Sequence, residues 1–375
     1  MATTIPETMR AVVFKAPFEV SVEDKPVPII QEPTNTILKV SSTALCGTDL
    51  HYYRGHQKSP PGFICGHEFV GHVVKLGNDV QNFQIGDHVV VPFYTACGSC
   101  FYCTRGEASR CPHGVLFGNS SPANTVDGGQ AEYVRVPLAN TTMVRAPTSI
   151  PEELLVLMSD IFPTGYFAAS RFLKNLPPSH LSDLTIAIIG CGPVGICAIA
   201  CTQYLTQSRA RIFAIDPIPT RLSEAEKLGA IPLDPNSTDP HQAILAATSN
   251  RGADIVLEIV GHFDALQLAF NLIRPFGKIS SVGVHTEDIH FSGPLLYGKN
   301  VTMAFGRCPV RSLFEEALDV LVEVQGKLGF LCGRKMGLEE AGKAFKLFEK
   351  GEVNDNPISF FFFLLDKTPF SPSLV

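Results

Sequence analysis

Four cysteines in one short stretch are the strongest chemical signal of this sequence. They are Cys97, Cys100, Cys103 and Cys111, spaced C-x2-C-x2-C-x7-C. Four thiolates at such intervals can surround a zinc ion tetrahedrally, and because that leaves no open position for a substrate, the predicted site is structural. Unpaired thiols and a zinc-ribbon nucleic-acid module are the alternatives, and the stretch carries little positive charge for the second.

The cysteine count favours metal binding over disulfide pairing. The chain has eleven cysteines, an odd number. Its opening residues, MATTIPETMRAVVF, lack the basic start and long apolar core of a secretory signal. We therefore expect a cytoplasmic protein, in a compartment where thiols stay reduced.

Two other loops offer ligands for a second metal. ALCGTDLHYYRG contains Cys46, Thr48, Asp49 and His51, and ICGHEFVGH contains His67 and Glu68. Thiolate and imidazole are ligands that zinc favours, and a catalytic zinc needs three protein ligands and one open position. From the residues alone Cys46 and His67 are only candidates, since a buried cysteine or histidine is often an inert core residue.

A glycine-rich turn predicts a nucleotide site in the second half of the chain. The motif G-x-G-x-x-G directly follows the apolar run TIAII, opens a helical stretch, and comprises Gly190, Gly192, Pro193, Val194 and Gly195. Its glycines allow the backbone to approach a pyrophosphate, which the N–H groups of the helix N-terminus then bind. A tight strand-to-helix turn without a ligand is the alternative.

An acidic residue after the next predicted strand indicates which nucleotide binds. Asp216 lies 21 positions after Gly195 and ends the run RIFAID. Its carboxylate can accept hydrogen bonds from ribose hydroxyls and would repel a 2′-phosphate, so the sequence predicts NAD rather than NADP. We assign Arg221 to the same cofactor-binding group.

The elements that must position these residues fall into two halves. Residues 10–150 contain short Val-rich runs separated by Gly, Pro, Asn and Asp, which predicts a β-rich domain. From about residue 163 short apolar strands alternate with helical stretches, which predicts βαβ units and a doubly wound parallel sheet. The fold class is therefore α/β with a separate β-rich domain.

Composition excludes several classes of partner. The formal net charge is -6 and 45% of the residues are hydrophobic. An acidic chain has no electrostatic footprint for nucleic acid or an anionic membrane, and no apolar run reaches the length of a membrane span. We expect neither kind of partner.

Taken together, these motifs resemble the zinc-dependent medium-chain alcohol dehydrogenases. The similarity rests on C-G-T-D at Cys46, G-H-E at His67, the four spaced cysteines and the glycine motif, and spans residues 8–350. It implies a GroES-like catalytic domain over residues 1–162, a Rossmann domain over 163–306, and a segment 307–375 that returns to the catalytic domain. It also implies a homodimer or homotetramer.

The resemblance assigns roles to individual residues. Cys46 and His67 match catalytic zinc ligands, and Asp160, in LMSDIFPTGYFAA, matches the acidic third ligand of some branches. Glu68 matches a neighbour that can approach the metal. Thr48 and His51 match a proton relay, and Phe93 matches a residue that lines the substrate pocket.

These roles imply oxidation of a primary or secondary alcohol to an aldehyde or ketone. Two zinc ions per chain are expected, one catalytic and one structural, with NAD as hydride acceptor. A formaldehyde or polyol dehydrogenase of the same family is an alternative, with short strings favouring the formaldehyde and secondary-alcohol branches. A catalytically idle zinc protein that binds a nucleotide is the alternative from another class.

The C-terminal tail departs from the family. Residues 354–375 include the uncharged run ISFFFFLL, which has no β-type alternation. We predict that this tail does not complete the catalytic domain and that it exposes an aggregation-prone segment.

Overall fold

The first part of the chain is a β-rich domain. The computed structural model describes residues 5–119 and 126–350, and the backbone of 361–364. The elements up to residue 155 are β1 (Thr8–Ala16), β2 (Glu19–Pro26), β3 (Thr36–Leu45), α1 (Gly47–Tyr53), β4 (Phe69–Leu76), β5 (His88–Val91), β6 (Tyr133–Val136), α2 (Ala139–Thr142), β7 (Val144–Arg145) and α3 (Glu152–Leu155).

The second part alternates strands and helices. Its elements are α4 (Ile161–Leu173), α5 (Pro178–Leu181), β8 (Thr185–Ile189), α6 (Pro193–Leu205), β9 (Arg211–Ile215), α7 (Pro219–Lys227), β10 (Ile231–Leu233), α8 (Pro240–Ala247), β11 (Ala253–Glu258), α9 (Phe263–Leu272), β12 (Ile273–Ser281), α10 (Gly293–Lys299), β13 (Thr302–Phe305) and α11 (Val310–Val324). The chain continues with β14 (Arg334–Met336), α12 (Ala341–Lys350) and β15 (Phe361–Leu364).

Strands β8 to β13 form one parallel sheet. Their order is β10-β9-β8-β11-β12-β13, the 3-2-1-4-5-6 order of a dinucleotide-binding fold. The central strands are mostly apolar and buried, for example TIAII in β8, whose five residues are all buried, because helices cover both faces. The predicted α/β fold class is confirmed.

The β-rich part contains an antiparallel sheet and a two-stranded ribbon. Strands β1 and β2 form the ribbon, and the larger sheet has the order β14-β15-β3-β4-β5-β7, with β6 also paired to β3. Strand β3 is the centre of this sheet and is buried along nearly its whole length. It ends directly before Cys46, so a rigid strand positions the first predicted metal ligand.

The two sheets are joined by a shared apolar core. Helices α4, α6 and α11 pack together in it, and it extends from Phe93 in the β-rich part to Ile188 in β8. Buried apolar contacts therefore fix the two parts of the chain against each other.

The prediction that the tail does not complete the catalytic domain is wrong for the four tail residues that the structure describes. The backbone of Phe361–Leu364 pairs antiparallel with β3 and parallel with β14, so these four residues join the catalytic-domain sheet. A run of β-favouring phenylalanines can form a strand without alternation when main-chain pairing holds it on both edges. The remainder of 354–375 lies outside the described residues.

Candidate active site and metal centres

Cys46 is held at the junction of β3 and α1. It is the N-cap residue of α1, and its backbone N–H donates a 2.9 Å hydrogen bond to Oδ2 of Asp49. Thr48 and His51 lie on the same short helix, three residues apart and hence on one face. Thr48 Oγ1 is 3.9 Å from Cys46 Sγ.

His67 enters the site from the loop before β4. Gly66 precedes it with φ +92°, and a Cβ at Gly66 would lie 2.5 Å from Gln130 Cγ, so glycine is required there. His67 Nδ1 lies 3.7 Å from Oδ1 of the buried Asp49, and the ring of Phe93 packs edge-on against the imidazole. Asp49 thus places a buried carboxylate beside the histidine, a contact that the sequence did not predict.

Asp160 reaches the site from the N-terminus of α4. It follows the 3-10 helix Val156–Ser159 and caps α4. Its Oδ2 lies 3.5 Å from His67 Nε2, while Oδ1 accepts a 2.7 Å hydrogen bond from Thr164 Oγ1. Thr164, one helical turn later, was also missed, because a threonine inside a helical pattern has no distinctive signal.

These residues converge into one group of possible metal ligands. One ligand atom each from Cys46, His67, Glu68 and Asp160 lies within 4.8 Å of the others. His67 Nε2 and both carboxylate oxygens of Glu68 are buried without a hydrogen-bond partner among the described residues. Buried polar atoms without partners are costly, so this donor set fits a cation.

Burial also sets the protonation of the group. Burial and the nearby Glu68 raise the pKa of the Cys46 thiol to about 12, and burial with Asp160 raises the pKa of Glu68 to about 8. Zinc binds the thiolate form of cysteine, so the thiol loses its proton when the metal binds. Metal binding at this group is therefore expected to depend on pH.

The four cysteines of the cysteine stretch form a second group of possible metal ligands, separate from the first. The sulfur atoms of Cys97, Cys100, Cys103 and Cys111 lie within 4.8 Å of one another, and none of these cysteines is in a disulfide. The backbone N–H of Cys97 donates a 3.4 Å hydrogen bond to Cys111 Sγ, and the backbone N–H of Cys100 donates one of the same length to Cys97 Sγ. Burial opposes ionisation, but hydrogen bonds from Ser99 and Cys100 lower the pKa of Cys97 to about 6.

The glycine motif adopts a tight turn between β8 and α6. Gly190 has φ +91°, and a Cβ at Gly195 would lie 1.9 Å from Gly190 O, so both positions require glycine. Gly192 has open space where its Cβ would be, which suits close approach of a pyrophosphate. Pro193 and Val194 follow in the first turn of α6.

Asp216 lies beside this turn at the end of β9. Its Oδ2 accepts a 2.8 Å hydrogen bond from Cys191 N–H, and its Oδ1 accepts one of 2.9 Å from Ile218 N–H. Arg221 Nη1, on α7, lies 3.5 Å from Oδ2. The structure thus brings Asp216 and Arg221 together next to the glycine motif.

A buried polar cluster at the same edge of the sheet was not found from the sequence. Glu258, fully buried at the end of β11, accepts hydrogen bonds from the N–H groups of Val260 and Gly261 and from Ser281 Oγ at 2.6 Å. His285 Nε2 lies 3.2 Å from Glu258. The cluster ties together the loops after β11 and β12, and Val260 lies directly against Gly190.

Comparison with known proteins defines the class. Residues 32–148 match the family described as Alcohol dehydrogenase GroES-like domain, and residues 193–323 match Zinc-binding dehydrogenase. The chain therefore belongs to the zinc-type alcohol dehydrogenases, oxidoreductases of CH–OH groups that use zinc and a nicotinamide cofactor.

Individual relatives cover nearly the whole chain. Zinc-type alcohol dehydrogenase B of Aspergillus flavus is 47% identical over 92% of this chain and 80% of its own length. The glutathione-independent formaldehyde dehydrogenase of Pseudomonas aeruginosa is 31% identical over 91% and 95%. Among solved structures, alcohol dehydrogenase TADH from Thermus sp. ATN1 superposes with a TM-score of 0.86 at 33% identity, covering 96% of this chain and all of that one.

The described residues contain no helix long and apolar enough to cross a bilayer.

Proposed function

We propose that this chain is an NAD-dependent alcohol dehydrogenase with a catalytic zinc at Cys46, His67 and Asp160 and a structural zinc at the four-cysteine group. The observation that carries the proposal is the convergence of these three side chains and Glu68, with ligand atoms within 4.8 Å of one another. The donors come from three separate segments of the chain and are buried or partly buried, and a catalytically idle protein has no chemical need for them.

The second group of ligands supports a different task. Its four sulfur atoms lie within 4.8 Å of one another, and four thiolates would satisfy the tetrahedral coordination of a structural zinc and leave no position for a substrate. The cysteine stretch also contacts the segment that leads into α11, because Ser109 Oγ donates a hydrogen bond to Arg307 O. We assign the four-cysteine group the role of holding this stretch of the chain in place.

The chain's own residues would handle the proton of the alcohol. When bound, zinc would polarise the alcohol oxygen and lower its pKa, while the nicotinamide would accept the hydride. Thr48 Oγ1 lies 3.9 Å from Cys46 Sγ, and its hydroxyl can relay the alcohol proton by accepting it while giving its own proton to the next acceptor. Burial and, to a smaller extent, the nearby His56 lower the pKa of His51. The imidazole is therefore neutral at pH 7 and can accept a proton from the relay.

The choice of NAD over NADP rests on Asp216. Its carboxylate lies beside the glycine motif, where ribose hydroxyls would meet it, and a 2′-phosphate would meet a like charge. Arg221 lies near that carboxylate, so the negative charge of Asp216 is partly balanced.

The substrate class is a primary or secondary alcohol, with the aldehyde or ketone as product. Phe93 packs on His67 and gives the site an apolar wall. The formaldehyde dehydrogenase and sorbitol dehydrogenase among the relatives show that related chains serve different substrates. We further propose a cytoplasmic homodimer or homotetramer, for which family membership and eleven free thiols are the support.

The test combines metal analysis with turnover. Zinc content and NAD reduction across a panel of small alcohols are measured for the wild type before and after chelation, and for Cys46→Ala. Cys65→Ala is the matched control, because Cys65 is buried nearby but is not in the ligand group. We expect two zinc ions per chain and turnover that chelation and Cys46→Ala abolish. Absence of metal-dependent turnover on every alcohol would favour the idle protein.

A further inference from the structure

A cavity at the opposite side of the nucleotide-binding domain carries unpaired positive charge. Its volume is about 410 Å³, and its lining includes Arg209, Arg211, Arg251 and one carboxylate, Asp183. We propose that this cavity binds a small organic phosphate, independently of the active site.

The cavity is separate from the predicted cofactor site. Thr185 begins β8 and Arg211 begins β9, so the cavity lies at the amino ends of the strands. The glycine motif follows the carboxyl end of β8, five residues further on, which is a distance of about 16 Å at 3.3 Å per residue. A ligand of one site would not occupy the other.

Two of the guanidinium groups are held by hydrogen bonds to backbone carbonyls. Arg211 Nη1 donates a hydrogen bond to Ala247 O, and Arg251 Nε donates one of 3.0 Å to Thr248 O. These are successive carbonyls at the end of α8. Each arginine uses one N–H there and covers a carbonyl that would repel an anion, while its other N–H groups remain available.

The third arginine has no partner of its own. Within residues 5–119 and 126–350, the Arg209 side chain has no hydrogen bond, and none of the three arginines has a carboxylate oxygen within 4.0 Å. The neighbouring Asp254 is already occupied by Arg274 at 2.6 Å and by Thr185 N–H. Three cations facing one carboxylate leave a net positive charge, in a chain whose formal net charge is -6.

The chemistry of the lining selects the ligand class. Guanidinium groups present forked N–H donors that match the oxygens of a phosphate. The hydroxyls of Ser182 and Ser249 add donors at the rim. A volume of about 410 Å³ exceeds the need of a bare phosphate and falls in the usual range for small-molecule sites. A phosphomonoester with a small organic part fits this cavity better than the inorganic ion.

Calorimetric titration at constant ionic strength tests the proposal. The probes are glycerol 3-phosphate, inorganic phosphate and uncharged glycerol, titrated into wild type, Arg209→Gln, Arg251→Gln and the control Lys343→Gln, which removes an exposed charge on α12. We expect saturable binding of glycerol 3-phosphate, weaker binding of phosphate and none of glycerol. Each arginine variant should weaken binding at least ten-fold, and the control should not.

Two results would overturn the proposal. One is the absence of saturable binding to the wild type. The other is binding that both arginine variants retain unchanged, which would locate the probe elsewhere, for example at the glycine motif. Arg209→Gln is the cleaner variant, since no described contact of the fold depends on that side chain, and an unchanged melting temperature verifies its folding.

Discussion

Thr164 Oγ1 donates a 2.7 Å hydrogen bond to Oδ1 of Asp160 across one turn of α4, which leaves Oδ2 directed at His67. Such a bond holds a carboxylate ligand in one orientation. We expect Thr164→Val to weaken zinc binding at the catalytic site by about ten-fold or more. Competition with a chelator measures the affinity. Thr164→Ser keeps the hydroxyl and should restore it, and a valine variant that holds zinc as tightly as the wild type would contradict this role.

His51 predicts an acid limb in the pH profile of alcohol oxidation. Because its pKa lies below the usual histidine value, His51 is neutral at pH 7 and can accept a proton. It becomes protonated as the pH falls through its pKa, and the relay is then lost. We expect His51→Gln to lower kcat on the order of 100-fold and to remove this limb.

His56 offers a matched control for that experiment. Its ring centroid lies 6.1 Å from that of His51, and its charge contributes to the lowered pKa of His51. His56→Gln should retain turnover and move the acid limb to higher pH. A profile that neither variant alters would exclude His51 from proton transfer.

The cofactor preference should follow Asp216. Replacing it with glycine removes the charge that would repel a 2′-phosphate and frees Arg221 to meet one. We expect the ratio of kcat/KM for NAD to that for NADP to fall by roughly 100-fold, as removal of a like-charge contact of a few kcal/mol implies. The double variant with Arg221→Ala should lose part of this gain. An unchanged ratio in Asp216→Gly would remove the ribose assignment.

The four-cysteine group should hold its metal independently of catalysis. We expect Cys103→Ser to reduce zinc from two ions to one per chain and to lower the melting temperature. Cys201→Ala, a buried cysteine of α6 outside both groups, should keep both ions. Loss of the catalytic zinc instead, or retention of both ions in Cys103→Ser, would show that the assignment is wrong.

Strand β15 predicts an effect of shortening the chain. Ending it at residue 353 removes Phe361–Leu364 from between β3 and β14 and leaves their edges unpaired. We expect a lower melting temperature and lower solubility than for the full-length chain. Equal values for the two chains would show that the strand contributes nothing to stability.

Local patterns were enough to predict much of this protein. The spacing of the four cysteines, the glycine turn and the alternation of strands with helices each lie within a few residues to a few tens of residues. Their geometry follows from backbone and ligand chemistry: three of the four cysteines recur at every third residue, which brings their thiols close together, and the left-handed backbone of Gly190 favours glycine. The fold class was therefore predictable from the sequence, and so was the grouping of the four cysteines.

The sequence by itself determined which residue types are available and which short loops hold them, because those constraints act along the chain. Only the tertiary structure decided which distant residues meet. Asp160 beside His67, Asp49 behind the same histidine, the buried Glu258 cluster and the arginines at the amino ends of β9 and β11 each depend on segments that are separated in sequence. Strand pairing within each sheet and packing of the shared core create these contacts, and no local periodicity encodes them.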